Sequence, residues 1–185
     1  MCIRDSHNIT QDTWYETIQN AIDDADTGDQ IEVGPGTYYE AIDFSGKAIK
    51  LYSSDGPEVT TIDGAGNYHV VQCVNSEGSN TILNGFTITG GYAVGSVSGD
   101  DYGGGMYNVG GNPTVINCIF TENSAAIGGG MFNYGGSPTV TDCIFSGNLA
   151  LISGGGMINY GANPTVADCT FNNNTAPDDG GGMYN

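Results

Sequence analysis

Short runs of alternating apolar and polar residues fill residues 103–185, and the whole pattern recurs every 25 or 26 residues. The sequence Gly-Gly-Gly-Met opens each copy, with its methionine at Met106, Met131, Met157 or Met183. A strict period whose length changes at only one point indicates a supersecondary unit stacked on copies of itself. The other recurring positions are Val115, Val140 and Val166, then Cys118, Cys143 and Cys169, then Phe120, Phe145 and Phe171, then Asn123, Asn148 and Asn174.

Each unit contains three strand signals separated by turn residues. In the first unit we expect strands at 105–109, 114–116 and 118–120. Runs this short, bounded by Gly, Asn and Pro, are typical of strands and not of helices. No two-residue hairpin loop joins them, so each unit should form one coil that pairs with the coils above and below. The pattern predicts an all-β fold, a parallel β-helix of three-strand coils with a spacing of about 4.8 Å.

Comparison of the units predicts which side chains point inward. Met, Val, Cys, Phe and the alanines Ala125, Ala150 and Ala176 keep their identity in every copy, as expected of a restricted interior. The residue after Met varies, as expected of an outer surface. Stacked aromatic residues on that surface could hold sugar rings or a protein partner, or they could simply cover an exposed sheet. The candidate ligand-binding residues in the two outward columns are Tyr107, Phe132, Tyr134, Tyr160 and Tyr184.

Two columns of asparagine also follow from the period. Asn123, Asn148 and Asn174 should form a ladder in which each amide bonds to the next, and Asn tolerates the left-handed turn conformation. A second ladder is expected for Asn108 and its equivalents Asn133, Asn159 and Asn185. We interpret both ladders as structural.

The first hundred residues are less regular. Residues 13–27 predict the one helix, with Thr13 and Glu16 as a capping box and Gly28 as its stop, and this helix should cover the open end of the coil interior. We expect a single β-helix domain over residues 13–185, in which the cap helix and irregular coils span 13–102 and the regular repeats span 103–185.

The two ends of the chain suggest that it is incomplete. Residues 1–12 are interpreted as a leader of doubtful origin outside the fold, because their start has no apolar run and is not a signal peptide. Asn185 falls a few residues into a fourth unit, so we expect a truncated, monomeric segment of a longer chain.

The charge balance narrows the choice of ligands. The chain has 21 acidic and 3 basic residues, a formal net charge of −18, and no Lys or Arg after Lys50. This composition argues against nucleic acid and anionic lipid as partners, and it disfavours an anionic polysaccharide. No membrane-spanning segment is predicted.

The cysteines lack metal-binding spacing. We expect them to pack as small buried hydrophobes, with a disulfide between neighbouring coils as the alternative.

The repeats resemble a known family. Gly-Gly-Gly-Met combined with the Phe-x-x-Asn motifs at 120–123, 145–148 and 171–174 is similar to the GGA[ILV]/FxxN repeats of polymorphic outer-membrane proteins. Residues 17–38 and the segments 61–64 and 83–88 resemble the wider pectin-lyase-like group. The resemblance implies a right-handed parallel β-helix in a secreted or cell-surface bacterial protein. The chain has Met where the family motif has Ala followed by an aliphatic residue, and this departure leaves the subfamily open.

An enzyme of that group is the alternative function. A lyase would need a basic residue, and none follows Lys50; a glycoside hydrolase would need two converging carboxylates. Asp142 and Asp168 are one coil apart, at about the spacing of a retaining pair, but they occupy the position of Asn117, which favours a turn role. No catalytic residue is therefore assigned to a polysaccharide lyase or glycoside hydrolase.

Calcium is the one metal that the sequence suggests. Asp100 and Asp101, and again Asp178 and Asp179, stand just before a glycine triplet, where paired carboxylates could hold a hard cation; solvated loop charge is the simpler interpretation.

The function predicted from the repeats, the charge and the resemblance together is a β-helical segment of an exported or surface protein, acting in adhesion, in carbohydrate or partner binding, or as a rigid spacer.

Overall fold

The structure is a computed structural model that describes residues 6–66, 69–95 and 101–185. Within these residues one helix is present, α1 (Ile18–Asp24), and all other regular structure is strand. The strands before the regular repeats are β1 (Ser6–Asn8), β2 (Thr13–Tyr15), β3 (Gln30–Val33), β4 (Gly36–Tyr39), β5 (Ile42–Asp43), β6 (Lys50–Ser53), β7 (Thr60–Asp63), β8 (Val71–Cys73), β9 (Ile82–Asn84), β10 (Thr87–Thr89) and β11 (Tyr92–Ala93). The strands of the repeats are β12 (Met106–Val109), β13 (Thr114–Ile116), β14 (Ile119–Thr121), β15 (Ser124–Ile127), β16 (Met131–Tyr134), β17 (Thr139–Thr141), β18 (Ile144–Ser146), β19 (Leu149–Ser153), β20 (Met157–Tyr160), β21 (Thr165–Ala167), β22 (Thr170–Asn172) and β23 (Met183–Tyr184).

The strands form four sheets that run along the stack of windings. Sheet A has the order β2-β1-β3-β6-β9-β13-β17-β21, sheet B β22-β18-β14-β10-β7-β4, sheet C β23-β20-β16-β12-β8-β5 and sheet D β11-β15-β19. Every pairing is parallel except those of β1 with β2 and β3. Crossover connections between parallel strands are right-handed in nearly all proteins. The chain is a right-handed parallel β-helix, so the predicted fold class is confirmed.

Each complete regular winding contains the three predicted strands and a fourth. After the strands in sheets C, A and B, the chain continues into sheet D through β15 in one winding and β19 in the next. The sequence predicted only a turn here. Ala125 and Ala150 are small enough to pack inside this tight corner and are fully buried. The register of β15 and β19 shifts after Ala125, which accommodates the extra residue of the 26-residue winding.

Equivalent residues of successive windings pair directly, as the repeat predicts. Met106 is opposite Met131, Met131 opposite Met157, and Met157 opposite Met183. In sheet B the rings of Phe120 and Phe145 stack with centroids 4.8 Å apart and planes within 4°. Both phenylalanines are fully buried, so the expectation that the invariant positions form the interior is confirmed.

Both predicted asparagine ladders are present. Asn123 donates through Nδ2 to Oδ1 of Asn148 at 3.1 Å, and Asn148 donates likewise to Asn174 at 2.9 Å. The left-handed conformation lies one residue earlier than expected, for example at Glu122 with φ 55°. The second ladder runs through Asn108, Asn133, Asn159 and Asn185. Because each buried amide finds its partner in the next winding, the ladders favour stacking in register.

The cysteines of the described residues are free thiols. Each thiol of the repeats donates to the carbonyl oxygen two residues before it, as Cys143 does to Thr141 at 3.1 Å. The hydrogen bond with the Cys118 thiol, together with burial, raises the pKa of Cys143, and burial raises the pKa of Cys73 well above its usual range. Cys73 and Cys143 therefore stay protonated at neutral pH, and the buried cysteines pack as small hydrophobes.

The N-terminal region differs from the prediction in two respects. The helix begins at Ile18 and not at residue 13, because Thr17 is its N-cap and accepts a hydrogen bond from the N–H of Asn20. The carboxylate of Glu40 accepts the N–H groups of Ile18 and Gln19, so a distant residue replaces the predicted capping box. The helix still buries Ile18, Ala21 and Ile22 against the end of the coil interior.

The second difference concerns residues 6–12, which the sequence placed in a leader outside the fold. Strand β1 lies between β2 and β3 in sheet A, so this assignment is wrong for residues 6–12. Asn8 is buried and donates to the carboxylate of Asp29 at 2.8 Å. This hairpin could not be predicted because its residues are polar and do not recur elsewhere in the chain. The burial of Asn8 also depends on Asp29, which is 21 residues away.

The glycine triplets bring successive windings into close backbone contact. Gly129, Gly130 and Met131 donate to the carbonyl oxygens of Gly154, Gly155 and Gly156 at 3.1, 3.0 and 2.9 Å. A Cβ atom on Gly129 would overlap the carbonyl oxygen of Leu149 and come within 2.7 Å of that of Gly155. Any side chain at this position would therefore push two windings apart.

We expect Gly129→Ala to lower the free energy of unfolding by about 1–3 kcal/mol, because overpacking forces backbone shifts. Chemical denaturation of the variant measures this change. Gly78→Ala is the matched control, because a Cβ atom there has nothing within 4 Å. Equal stability of the two variants would contradict the close contact between windings.

Candidate functional site

An open groove of about 540 Å³ lies beside sheet C, and we call it the aromatic groove. Its walls and floor come from consecutive windings and from the segments that precede the glycine triplets. Among the described residues, no carboxylate, lysine or arginine lines it. The lining residues are Tyr102, Tyr107, Val109, Ile127, Phe132, Tyr134, Ile158 and Tyr160.

The floor of the groove is the column that follows the methionines. Tyr107 pairs with Phe132 and Phe132 with Ile158 in the register of sheet C. The rings of Tyr107 and Phe132 lie 5.7 Å apart, centroid to centroid. At the other face of Tyr107, His69 stacks at 4.6 Å and places Nδ1 3.1 Å from the carbonyl oxygen of Gly103. These side chains point away from the coil interior, as predicted.

The prediction that this column is exposed is wrong for Phe132 and Ile158, which are only 6% and 4% exposed. Tyr102 and the first glycines of the triplets that precede Phe132 and Ile158 lie over them. The ring of Tyr102 packs on Phe132 at 4.7 Å, and the backbone at Gly128 is so close that a Cβ atom there would lie 3.0 Å from the Cβ of Phe132. Because the fourth strand was not predicted, its cover over the column was not predicted either.

The outer wall of the groove is the second predicted column. Tyr134 and Tyr160 are 51% and 63% exposed, and their rings stack at 5.7 Å with planes within 9°. Val109 continues the column in the previous winding, opposite Tyr134. Since the two tyrosine rings lie against each other, each ring covers one face of the other.

The opposite wall was missed by the sequence analysis. Tyr102 and Ile127 form a bridge between windings and face the tyrosine wall across the groove. Both stand immediately before a glycine triplet, at equivalent positions of successive units. That equivalence was a usable signal, but it identifies a wall only when the fourth strand is known.

Of the five predicted ligand-binding residues, Tyr107, Phe132, Tyr134 and Tyr160 line this one groove. Tyr184 does not line it. It lies in the last strand, β23, opposite Ile158, and is 40% exposed. That the four residues in the aromatic groove bind a ligand stays a prediction.

The candidate calcium residues do not come together. Asp100 lies outside the described residues. The residues that precede the triplets pair in the order Tyr102, Ile127, Ser153 and Asp179, so Asp101 and the pair Asp178–Asp179 lie at opposite ends of a column. Three winding steps of about 4.8 Å separate those ends. Within residues 6–66, 69–95 and 101–185, no group of three or more His, Cys, Asp or Glu side chains is placed to hold a metal ion.

Asp142 and Asp168 are exposed turn residues. Both adopt the left-handed conformation, with φ 55° and 53°, as does Asn117 at the equivalent position. Asp and Asn tolerate this conformation better than other non-glycine residues. The backbone thus accounts for the two aspartates, and neither lines the aromatic groove.

Comparisons with known proteins agree with this architecture. Residues 168–184 match the family model of the Chlamydia polymorphic membrane protein repeat. A solved structure of a mutant pectin methylesterase in complex with a hexasaccharide is similar, with a TM-score of 0.55 and 15% sequence identity over 82% of this chain and 53% of that one. The chain thus spans about half the length of that enzyme, and the likeness concerns the fold alone.

No curated protein matches the chain by sequence. No helix among the described residues has the length and apolar character needed to span a membrane. The chain is a right-handed parallel β-helical repeat protein of pectin-lyase-like architecture, and its last repeat is similar to those of polymorphic membrane proteins.

Proposed function

We propose that this chain is a ligand-binding segment of an exported or cell-surface protein, and that it acts in adhesion by holding a carbohydrate in the aromatic groove. The groove itself carries the proposal: aromatic side chains from three successive windings meet in one open concavity. Its volume and its mostly apolar lining, with a few polar groups, match those of ligand sites in general.

The β-helix supplies a rigid frame for such a site. Tyr134 and Tyr160 are held by strands that pair in register, and their ring stack restrains both side chains before any ligand arrives. Binding at preorganised side chains loses little conformational entropy. The same rigidity suits a segment that also serves as a spacer at a cell surface.

The similar proteins support a surface location and a sugar ligand. The matching repeat is that of a membrane protein family, and the similar solved structure contains a hexasaccharide. A net charge of −18 favours solubility and discourages association of exposed sheet edges. An enzymatic role is less well supported, because the described lining of the groove contains no carboxylate for a glycoside hydrolase and no base for a lyase.

Replacement of both exposed wall residues, Tyr134→Ser with Tyr160→Ser, should weaken glycan binding by roughly tenfold or more. The estimate assumes that each aromatic contact contributes about 0.5–1.5 kcal/mol. A glycan array identifies the binding sugar, and titration calorimetry measures the Kd of both proteins.

Tyr39→Ser is the matched control, because Tyr39 is a 73% exposed tyrosine of sheet B, outside the groove. It should bind as the wild type does. Unaltered glycan retention by the double variant, with the fold intact by circular dichroism, would reject the groove as the binding site. Retention of a protein ligand alone would favour a partner-binding role.

Calcium binding at the paired aspartates is a second, separate proposal. It predicts that millimolar Ca²⁺ raises the Tm of the wild type and not that of Asp178→Asn with Asp179→Asn, since ligand binding to the folded state stabilises it. Mg²⁺ at the same concentration controls for ionic strength. A Tm that is indifferent to Ca²⁺ would remove calcium from the account.

A further inference from the structure

We propose that the ligand of the aromatic groove is an uncharged, linear oligosaccharide that lies along the stacking axis with about one sugar residue per winding. This inference rests on the carbohydrate-binding function proposed above and adds the direction, the periodicity and the charge of the ligand.

The direction follows from the register of the lining residues. Tyr107, Phe132 and Ile158 are equivalent residues of consecutive windings, and so are Val109, Tyr134 and Tyr160. The groove between these columns and the bridge of Tyr102 with Ile127 therefore runs along the stack. Its chemistry repeats at the winding spacing of about 4.8 Å.

A repeating groove favours a repeating ligand. The length of a sugar residue in an extended oligosaccharide is comparable to the winding spacing, so successive residues could meet equivalent side chains. An extended peptide advances by about 3.3 Å per residue, so its side chains do not keep this spacing. This match favours a carbohydrate chain over a protein partner as the occupant.

The lining suits the two chemical faces of a sugar. Val109 and Ile127, which are half-buried, and the rings of the tyrosines offer apolar surface to the C–H groups of the sugar ring, and the hydroxyl groups of the tyrosines can donate to or accept from sugar hydroxyls. The tyrosines that supply those groups are Tyr102, Tyr107, Tyr134 and Tyr160.

The surrounding charge excludes an acidic sugar. Residues 101–185 contain no Lys, Arg or His, so no cationic side chain in this part of the chain could pair with a carboxylate of the ligand. A uronate chain would meet only charges of its own sign, and repulsion of a near-cognate ligand is a recognised source of specificity. The charged residues of this region are Asp101, Glu122, Asp142, Asp168, Asp178 and Asp179.

The test uses matched pairs of sugars. Neutral hexaoses of glucose, mannose and galactose, and the same hexaoses oxidised at C6 to uronates, are titrated into the chain by calorimetry. We expect at least one neutral hexaose to bind and its uronate to bind about tenfold more weakly at low salt. The difference should shrink at about 1 M salt, where the Debye length is about 3 Å.

A length series tests the direction. For the binding sugar, affinity should rise from the disaccharide to the trisaccharide and then level off, because three windings contribute to the groove. Affinity that is complete with one sugar residue would overturn the axial arrangement. Equal binding of a neutral hexaose and its uronate at low salt would overturn the charge selection.

Failure of this inference can be told apart from failure of the proposed function. If Tyr134→Ser with Tyr160→Ser abolishes binding of neutral and acidic hexaoses alike, and Tyr39→Ser leaves it intact, the groove binds carbohydrate without the selectivity inferred here. If the double variant binds every hexaose as the wild type does, the groove is not the site and both proposals fall. Groove-dependent binding of peptides from an array, with no binding of any hexaose, would also overturn both.

Discussion

Hydrogen bonding between the backbones of equivalent residues in successive windings determines the rest of this structure. At the glycine triplets the contact is closest: Gly155, Gly156 and Met157 donate to Gly180, Gly181 and Gly182 at 3.2, 3.0 and 3.0 Å, repeating the pattern of the winding before. Strands held in this register place identical side chains over one another. The methionine, phenylalanine and asparagine columns are consequences of that register, and the buried amides of the asparagines in turn make other registers unfavourable.

The aromatic groove depends on the same contact. Because glycine at the triplet lets the incoming segment pass close to sheet C, Tyr102 can cover Phe132, and Ile127 can form the second wall. Tyr134 and Tyr160, two residues further along their strands, lie beyond this cover and remain exposed. A bulkier residue in the triplet would displace the wall from the floor. The motif that specifies the fold thus also shapes the candidate site.

Those parts of the structure that repeat could be predicted from the sequence, since each copy tests the others. The inward methionines, the two asparagine ladders and the outward tyrosines all follow from comparing units. The burial of Ala125 and Ala150 was predicted from their invariance, but the fourth strand around them was missed because residues 124–127 have no alternating apolar and polar pattern. The helix start was missed because the N-cap is Thr17 and not Thr13, and because the carboxylate that accepts the first N–H groups belongs to Glu40 and not to Glu16. The covered state of Phe132 required a contact with Tyr102 that no local pattern encodes.

Methyl NMR of protein labelled with ¹³C at the methionine methyl groups tests the stacking of the windings most directly. The register predicts through-space contacts between Met106 and Met131, between Met131 and Met157, and between Met157 and Met183. No contact is expected between Met106 and Met157, which are two windings apart. Absence of the three neighbouring contacts, or a contact that skips a winding, would contradict the in-register β-helix.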